Sequence, residues 1–130
     1  MNGKVYVVGN FKGGVGKTKT VTMLAYEAAT YLKERILVID MDPQGNATRV
    51  LAKTGYLDNI SKSITDGFRN GNLTDEIVHV MDNLDMIPAN TSFRNLSKIL
   101  FDKYPDNEIA QISYLKELIE PFKNSYDRMY

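Results

Sequence analysis

The stretch that decides the fold of this chain is Lys12-Gly13-Gly14-Val15-Gly16-Lys17-Thr18. A continuous apolar run at residues 5–8 leads into it, and a segment with helical periodicity, residues 17–33, leads out of it. Glycines let backbone N–H groups approach phosphate oxygens without a Cβ in the way, and the start of the following helix adds partial positive charge. The order of strand, glycine loop and helix therefore predicts a phosphate-binding loop.

Three residues at the end of this loop have roles that the chemistry of phosphate binding suggests. Lys17, in the first turn of the helix, can reach the β- and γ-phosphates of a nucleotide. The Thr18 hydroxyl can take one position on a Mg²⁺ ion that keeps its other waters and phosphate oxygens. The backbone N–H of Lys19 would face the α-phosphate. The alternative is an ordinary glycine-rich turn before a helix, which does not call for a lysine and a threonine after three placed glycines.

A second apolar run at residues 36–39 is followed by the segment Asp40-Met41-Asp42-Pro43-Gln44-Gly45-Asn46. Strand, helix and strand in this order form a βαβ unit, and ligands bind at the carboxyl ends of its parallel strands. Two carboxylates therefore converge on the phosphate site. Asp40 can hold a Mg²⁺-bound water, and Asp42 can orient the water that attacks the γ-phosphate. The structural alternative is an Asp-Pro turn in which Asn46 caps the next helix.

The glycine loop departs from the general P-loop pattern at its start. Phe11 stands where that pattern has a glycine, and a second lysine, Lys12, opens the loop. This arrangement resembles the deviant Walker A motif of the ParA/MinD superfamily of P-loop ATPases. The segment that begins at Asp40 resembles switch I of ParA/Soj-type partition ATPases rather than that of MinD. The resemblance implies that Lys12 reaches across a nucleotide-sandwich dimer to the partner's phosphates, that Asp42 is needed for hydrolysis and that Asp40 lies by the magnesium.

The resemblance also implies a fold, cofactors and partners. The expected fold is an α/β, P-loop NTPase-like parallel sheet flanked by helices, with residues 1–130 as the N-terminal part of a single domain. The implied cofactors are ATP and Mg²⁺, and the implied role is Mg-dependent ATP hydrolysis in plasmid or chromosome partition, coupled to dimerisation. The implied partners are a second copy and a ParB-like or small centromere-binding protein. Non-specific DNA is a partner in the family, but we expect its binding surface to be absent here.

Composition narrows the remaining function classes. Sixteen basic and sixteen acidic residues leave no net charge to attract nucleic acid or an anionic membrane. The absence of cysteine excludes disulfides and iron–sulfur chemistry, which disfavours the iron–sulfur branches of the superfamily. No apolar run approaches 18 residues and no signal-peptide pattern is present, so we expect a cytoplasmic protein without a membrane partner.

Weaker patterns predict the remaining elements. Short helices after Thr48 and over residues 63–71 are expected to cover the surface, and residues 84–88 are expected to form a third strand. Apolar stripes predict a helix that ends near Tyr104 and another that Asn107 caps. The first helix has a stripe of Val21, Leu24, Ala25, Ala28, Ala29 and Leu32. His79, the only histidine, has no cluster of ligating residues around it and is expected in the core or in an edge strand.

The end of the chain resembles the lead-in to the family's Walker B strand, and we expect that strand and the C-terminal half to be absent. Three parallel strands would then leave the central place in the sheet empty and expose unpaired backbone groups. Nucleotide binding should be weak and hydrolysis negligible. The alternative functions are a truncated, non-catalytic interaction module and a MinD-like membrane ATPase. The latter lacks support because no terminal amphipathic helix rich in Lys and Arg is present.

Overall fold

The computed structural model describes residues 3–6, 15–42, 44–90 and 96–130. The first half of the glycine loop lies outside these ranges, with Phe11, Lys12, Gly13 and Gly14. In the described ranges the chain forms five strands, five α-helices and short 3₁₀ turns at Thr74–Glu76 and Glu120–Asn124. The strands and helices are β1 (Lys4–Val5), α1 (Val15–Thr30), β2 (Ile36–Ile39), α2 (Asn46–Thr54), α3 (Ile64–Asn70), β3 (Val78–Met81), β4 (Leu84–Ile87), α4 (Leu96–Lys103), α5 (Glu108–Ile119) and β5 (Arg128–Met129).

The strands form one sheet in the order β1-β5-β2-β4-β3. All neighbours are parallel except β3 and β4, which form an antiparallel pair at one edge. The longest parallel register runs from Ile36 beside Leu84 to Ile39 beside Ile87. Residues 36–38 of β2 are buried, as expected for a continuously apolar strand that is covered on both faces. The predicted parallel α/β architecture is therefore confirmed.

The expectation of an empty central place in the sheet is wrong, because β5 occupies it. Arg128 lies beside Lys4 on one side and Ile36 on the other, and Met129 is wholly buried. The pairing continues past the strand, since the Tyr130 N–H donates to the Leu37 carbonyl at 2.9 Å and the Ile39 N–H donates to the Tyr130 carbonyl at 2.7 Å. Backbone groups buried between two strands need partners, and the lead-in segment supplies them by extending as a strand.

Helix α1 covers one face of the sheet through its alanines. Ala25, Ala28 and Ala29 are buried there, together with Leu51 of α2. Leu24 and Leu32 of the predicted stripe are instead 44% and 57% exposed, so the packed stripe is narrower than the sequence pattern. The helix also begins at Val15 and ends at Thr30, earlier at both ends than expected. Side chains as small as alanine allow the helix backbone to approach the sheet closely.

The other face is covered by α3, α5 and the 3₁₀ turn that follows α5. Phe68, Tyr114 and Phe122 pack there against Leu37 and Met129. The prediction that residues 63–71 only cover the surface is wrong, since α3 contributes buried Ile64, Thr65 and Phe68 to the core. Periodicity could not show this, because a seven-residue helix is too short to display a stripe. The predicted Asn107 cap is confirmed, since its side chain accepts the Ala110 N–H at 2.9 Å, and Ser63 caps α3 by accepting the Asp66 N–H.

His79 lies in the edge strand β3, which the sequence patterns did not identify as a strand. It is the cross-strand neighbour of Asp85 in β4, and its Nδ1 is 2.8 Å from an Asp85 carboxylate oxygen. The expectation of an edge-strand histidine is thus confirmed. Asn83, with a φ of 66°, makes the tight turn between the two strands. Among the described residues, none of the helices is long and apolar enough to span a membrane.

Candidate functional site

The candidate site lies at the edge of the sheet where the parallel strands end. Helix α1 begins after β1 and packs against β2, Asp40 follows β2, and Ala89 follows β4. Parallel strands end at the same edge, so the topology brings the start of α1 and the aspartate segment together. The first four N–H groups of an α-helix have no partner within the helix, and at the start of α1 these belong to residues 15–18. This edge is therefore suited to binding an anion.

The predicted loop residues are described only in part. Val15, Gly16, Lys17, Thr18 and Lys19 are the first residues of α1. Lys12, Gly13 and Gly14 fall outside the described residues. The phosphate contacts expected of all these residues, and the magnesium contact expected of Thr18, therefore stay predictions.

Asp40 is held in one orientation by three donors. It is 5% exposed. Its Oδ1 accepts the Asp42 N–H at 3.0 Å, and its Oδ2 accepts both the Thr48 N–H at 2.9 Å and the Thr48 hydroxyl at 2.7 Å. Its own N–H donates to the Ile87 carbonyl at 3.1 Å. A buried carboxylate is stabilised by such hydrogen bonds, which replace the water that it loses.

The start of α2 is capped by Asp40 and not by Asn46, so the alternative in which Asn46 caps this helix is wrong. Gly45 is the N-cap residue, with a left-handed φ of 66°, and Asn46 is already the first helical residue. The Asn46 side chain instead contacts the Arg49 guanidinium. Asp40 accepts the N–H of Thr48, the third residue of the helix, which an N-cap side chain usually accepts.

Asp42 stabilises the turn that leads from Asp40 to α2. Its Oδ1 accepts the Gln44 N–H at 3.0 Å, and its carbonyl accepts the Gly45 N–H at 2.8 Å. The residue is half-buried. The turn passes close to the end of β4, since a Cβ at Gly45 would lie 3.0 Å from the Ala89 carbonyl oxygen. Asp42 is therefore held beside Asp40, as the predicted pair of carboxylates requires.

Thr48 is the residue of this site that sequence reasoning missed. Its hydroxyl donates to Asp40 and accepts the Ala89 N–H at 2.9 Å, so it joins the ends of β2 and β4 to α2. The available signal was its position as the third residue of a helix whose N-cap, Gly45, has no side chain to accept that N–H. A buried aspartate at the end of the preceding strand was the remaining acceptor.

The oxygen ligands available at this edge suit a magnesium ion that is held through a water molecule. A carboxylate has about four acceptor positions, and the fold uses three of those on Asp40. The remaining position, on Oδ1, suits a metal-bound water. In the described part of the chain, no group of three or more His, Asp or Glu residues could hold a metal ion by itself. Mg²⁺ commonly takes one or two carboxylates and completes its shell with phosphate oxygens and water, so the residues fit this ion.

Comparisons with known proteins agree with this architecture. A family model described as AAA domain matches residues 3–129. The sporulation initiation inhibitor protein Soj of Bacillus subtilis is 34% identical over 128 residues, which cover 96% of this chain and 47% of Soj. The chain thus spans about half the length of this curated relative.

Two solved structures share the fold. A plasmid partition protein from Borrelia burgdorferi superposes with a TM-score of 0.78 at 24% identity, over 98% of this chain and 54% of that one. Cobyrinic acid a,c-diamide synthase from Mycobacterium smegmatis, with a bound ATP analogue and magnesium, gives a TM-score of 0.77 at 24% identity, over 98% and 48%. The family model matches nearly the whole of the chain, and the chain therefore belongs to the AAA domain family.

Proposed function

We propose that this chain is the nucleotide-binding part of a ParA-type ATPase, whose Mg-dependent ATP hydrolysis is coupled to dimerisation and acts in plasmid or chromosome partition. The observation that carries the proposal is the buried carboxylate of Asp40, held at the edge of the sheet where α1 begins. A carboxylate that only caps a helix could stand at the start of any helix. Here the cap follows a parallel strand that ends at the same edge of the sheet where α1 begins, and the predicted phosphate-binding loop precedes α1 in the sequence.

Each site residue has a role in the proposed reaction. Lys17 and the first N–H groups of α1 bind the phosphates, and the Thr18 hydroxyl ligates magnesium. Asp40 holds a water of the metal shell, and Asp42 orients the attacking water. Lys12 stabilises charge on the phosphates bound by a partner subunit, as an arginine finger does. Magnesium, when bound, neutralises charge on the β- and γ-phosphate oxygens.

The proposed partners follow from the family. They are a second copy of this chain, in a nucleotide-sandwich dimer, and a ParB-like or small centromere-binding protein. The chromosome partitioning protein ParA of Myxococcus xanthus, 32% identical over 127 residues, supports a role in partition. The ATP analogue and magnesium bound by the Mycobacterium smegmatis synthase support the choice of cofactors.

Titration of the chain with a fluorescent ATP analogue in Mg²⁺ buffer tests the proposal. Lys17→Ala is expected to weaken binding at least tenfold, because the side chain loses its charge-assisted contact with the phosphates. Lys19→Ala is the matched control. Lys19 is exposed, lies two residues further along the same helix and is expected to contribute only its backbone, so its substitution should leave binding within twofold.

Equal effects of the two substitutions would contradict the proposed role of Lys17, and a wild-type chain that binds no nucleotide would contradict the proposed function. Nucleotide binding without phosphate release would support the non-catalytic module instead.

A further inference from the structure

The Thr48 hydroxyl connects the candidate site to the middle of the sheet. It accepts the Ala89 N–H at 2.9 Å and donates to Asp40 Oδ2 at 2.7 Å. Because the Ala89 N–H donates a hydrogen bond to the hydroxyl oxygen, the hydroxyl hydrogen is directed to the carboxylate. The first bond spans 41 residues of sequence and the second spans 8. They join the end of β4 to the end of β2.

This arrangement determines which way the Asp40 carboxylate faces. Oδ2 accepts two hydrogen bonds from Thr48, which restrain rotation of the carboxylate about its bond to Cβ. Oδ1 then faces the Asp42 N–H, 3.0 Å away. The Thr48 hydroxyl therefore contributes to the orientation of Asp40, and through Asp40 to the position of the Asp42 N–H, although it touches neither phosphate nor metal in the proposed reaction.

We propose that Thr48 is a positioning residue for magnesium-dependent nucleotide binding, acting through Asp40. The inference rests on the proposed function, since it assigns Thr48 to the same site. Residues that orient a metal-binding group typically change metal affinity by about 10- to 100-fold when they are replaced. Thr48→Val keeps the shape of the side chain but leaves the Ala89 N–H without its acceptor and Asp40 Oδ2 with one donor. Thr48→Ser keeps the hydroxyl.

The test compares the affinity of the chain for a fluorescent ATP analogue in Mg²⁺ buffer with its affinity in EDTA. Thr48→Val is expected to reduce the gain from Mg²⁺ by about tenfold and to leave the affinity in EDTA within twofold. Thr48→Ser is expected to restore the gain. Thr54→Val is the matched control, because the Thr54 hydroxyl bonds only to the Val50 carbonyl within the same helix. An unchanged gain in Thr48→Val, or an equal loss in both buffers, would overturn the proposal.

Amide hydrogen exchange separates failure of this inference from failure of the proposed function. The Asp42 N–H should exchange at least tenfold faster in Thr48→Val than in wild type or Thr48→Ser, since the carboxylate that accepts it loses one of the two bonds that restrain it. If the wild-type chain binds no nucleotide, the proposed function fails, and unchanged Asp42 exchange would overturn the positioning role as well. If Thr48→Val does not fold, Thr48→Cys replaces it under the same criteria, because a thiol is only a weak donor and acceptor.

Discussion

Asp40 and Asp42 lie two residues apart, but the fold uses them differently. Asp40 is 5% exposed and accepts three hydrogen bonds that join the end of β2 to the following turn and to α2. Asp42 is half-buried, and its Oδ1 accepts the N–H of a residue in its own turn, Gln44. Replacing Asp40 therefore disturbs the fold, whereas Asp42 is the aspartate whose replacement can report on chemistry.

In a longer version that includes the family's C-terminal half, Asp42→Ala should retain nucleotide binding within about threefold and slow single-turnover phosphate release by about 10²–10⁴, the usual contribution of a general acid–base group. The loss reflects the missing carboxylate that orients water. Asp58→Ala is the control, since Asp58 is an exposed aspartate outside the turn. Phosphate release that is equally fast in Asp42→Ala and wild type would show that another group orients the water.

Glu76 is a buried carboxyl group outside the candidate site. Burial raises its pKa, the nearby Asp66 carboxylate raises it further, and Lys62 acts in the opposite direction. The folded state therefore holds the Glu76 proton more tightly than the unfolded chain does. Its contribution to stability is complete below the unfolded pKa and is lost as pH rises through the folded pKa.

Glu76→Gln should make the free energy of unfolding less dependent on pH above the unfolded pKa and should raise it at pH 7 by roughly 1 kcal/mol, the scale of a buried polar group without a partner. Urea unfolding at a series of pH values measures both effects. Exposed Glu117 provides the control substitution Glu117→Gln, which should change neither. A steeper pH dependence in Glu76→Gln would contradict the cause assigned here.

At the scale of elements, the turn between β2 and α2 depends on a glycine. Gly45 has a φ of 66°, and a Cβ there would lie 3.0 Å from the Ala89 carbonyl oxygen. The left-handed conformation costs an L-residue about 1–2 kcal/mol. The turn is thus held against the end of β4 by a residue without a side chain, which keeps Asp42 next to Asp40.

Gly45→Ala should lower the free energy of unfolding by about 2 kcal/mol, from backbone strain plus the contact with Ala89. Gly71→Ala is a matched control, because it introduces the backbone strain of a positive φ without a close contact. Gly71 has a φ of 74°, but the nearest atom to a Cβ there is the Tyr114 hydroxyl at 3.7 Å. Urea unfolding of both variants checks the difference. If Gly71→Ala lowers the free energy of unfolding as much as Gly45→Ala does, the contact with Ala89 does not contribute to the loss.

At the scale of the whole molecule, polar contacts hold the C-terminal strand in the centre of the sheet. Arg128 makes two contacts with Glu34, at 2.5 and 3.2 Å, and Arg35 exchanges hydrogen bonds with Asp127. On the other side of the sheet the Tyr126 hydroxyl donates to Asp85 Oδ2 at 2.6 Å. Burial and the Asp85 carboxylate raise the Tyr126 pKa.

Tyr126→Phe should lower the free energy of unfolding by about 1–2 kcal/mol, because Asp85 loses a hydrogen-bond donor in a partly buried place. Tyr56→Phe is the control, since Tyr56 is 93% exposed. Urea unfolding followed by far-UV circular dichroism measures the change. Stability that is equal in Tyr126→Phe and wild type would show that packing alone holds this segment in place.

Local patterns in the sequence determined the βαβ unit, the glycine loop, the paired aspartates and the Asn107 cap, because each depends on residues close together in the chain. Only the tertiary structure decided three other features. Strand β5 lies between β1 and β2, and α3 packs in the core. Asp40 caps α2 by accepting the Thr48 N–H. Each of these features depends on which backbone groups and apolar surfaces lack partners once distant segments meet. Periodicity within one segment cannot predict those contacts between segments.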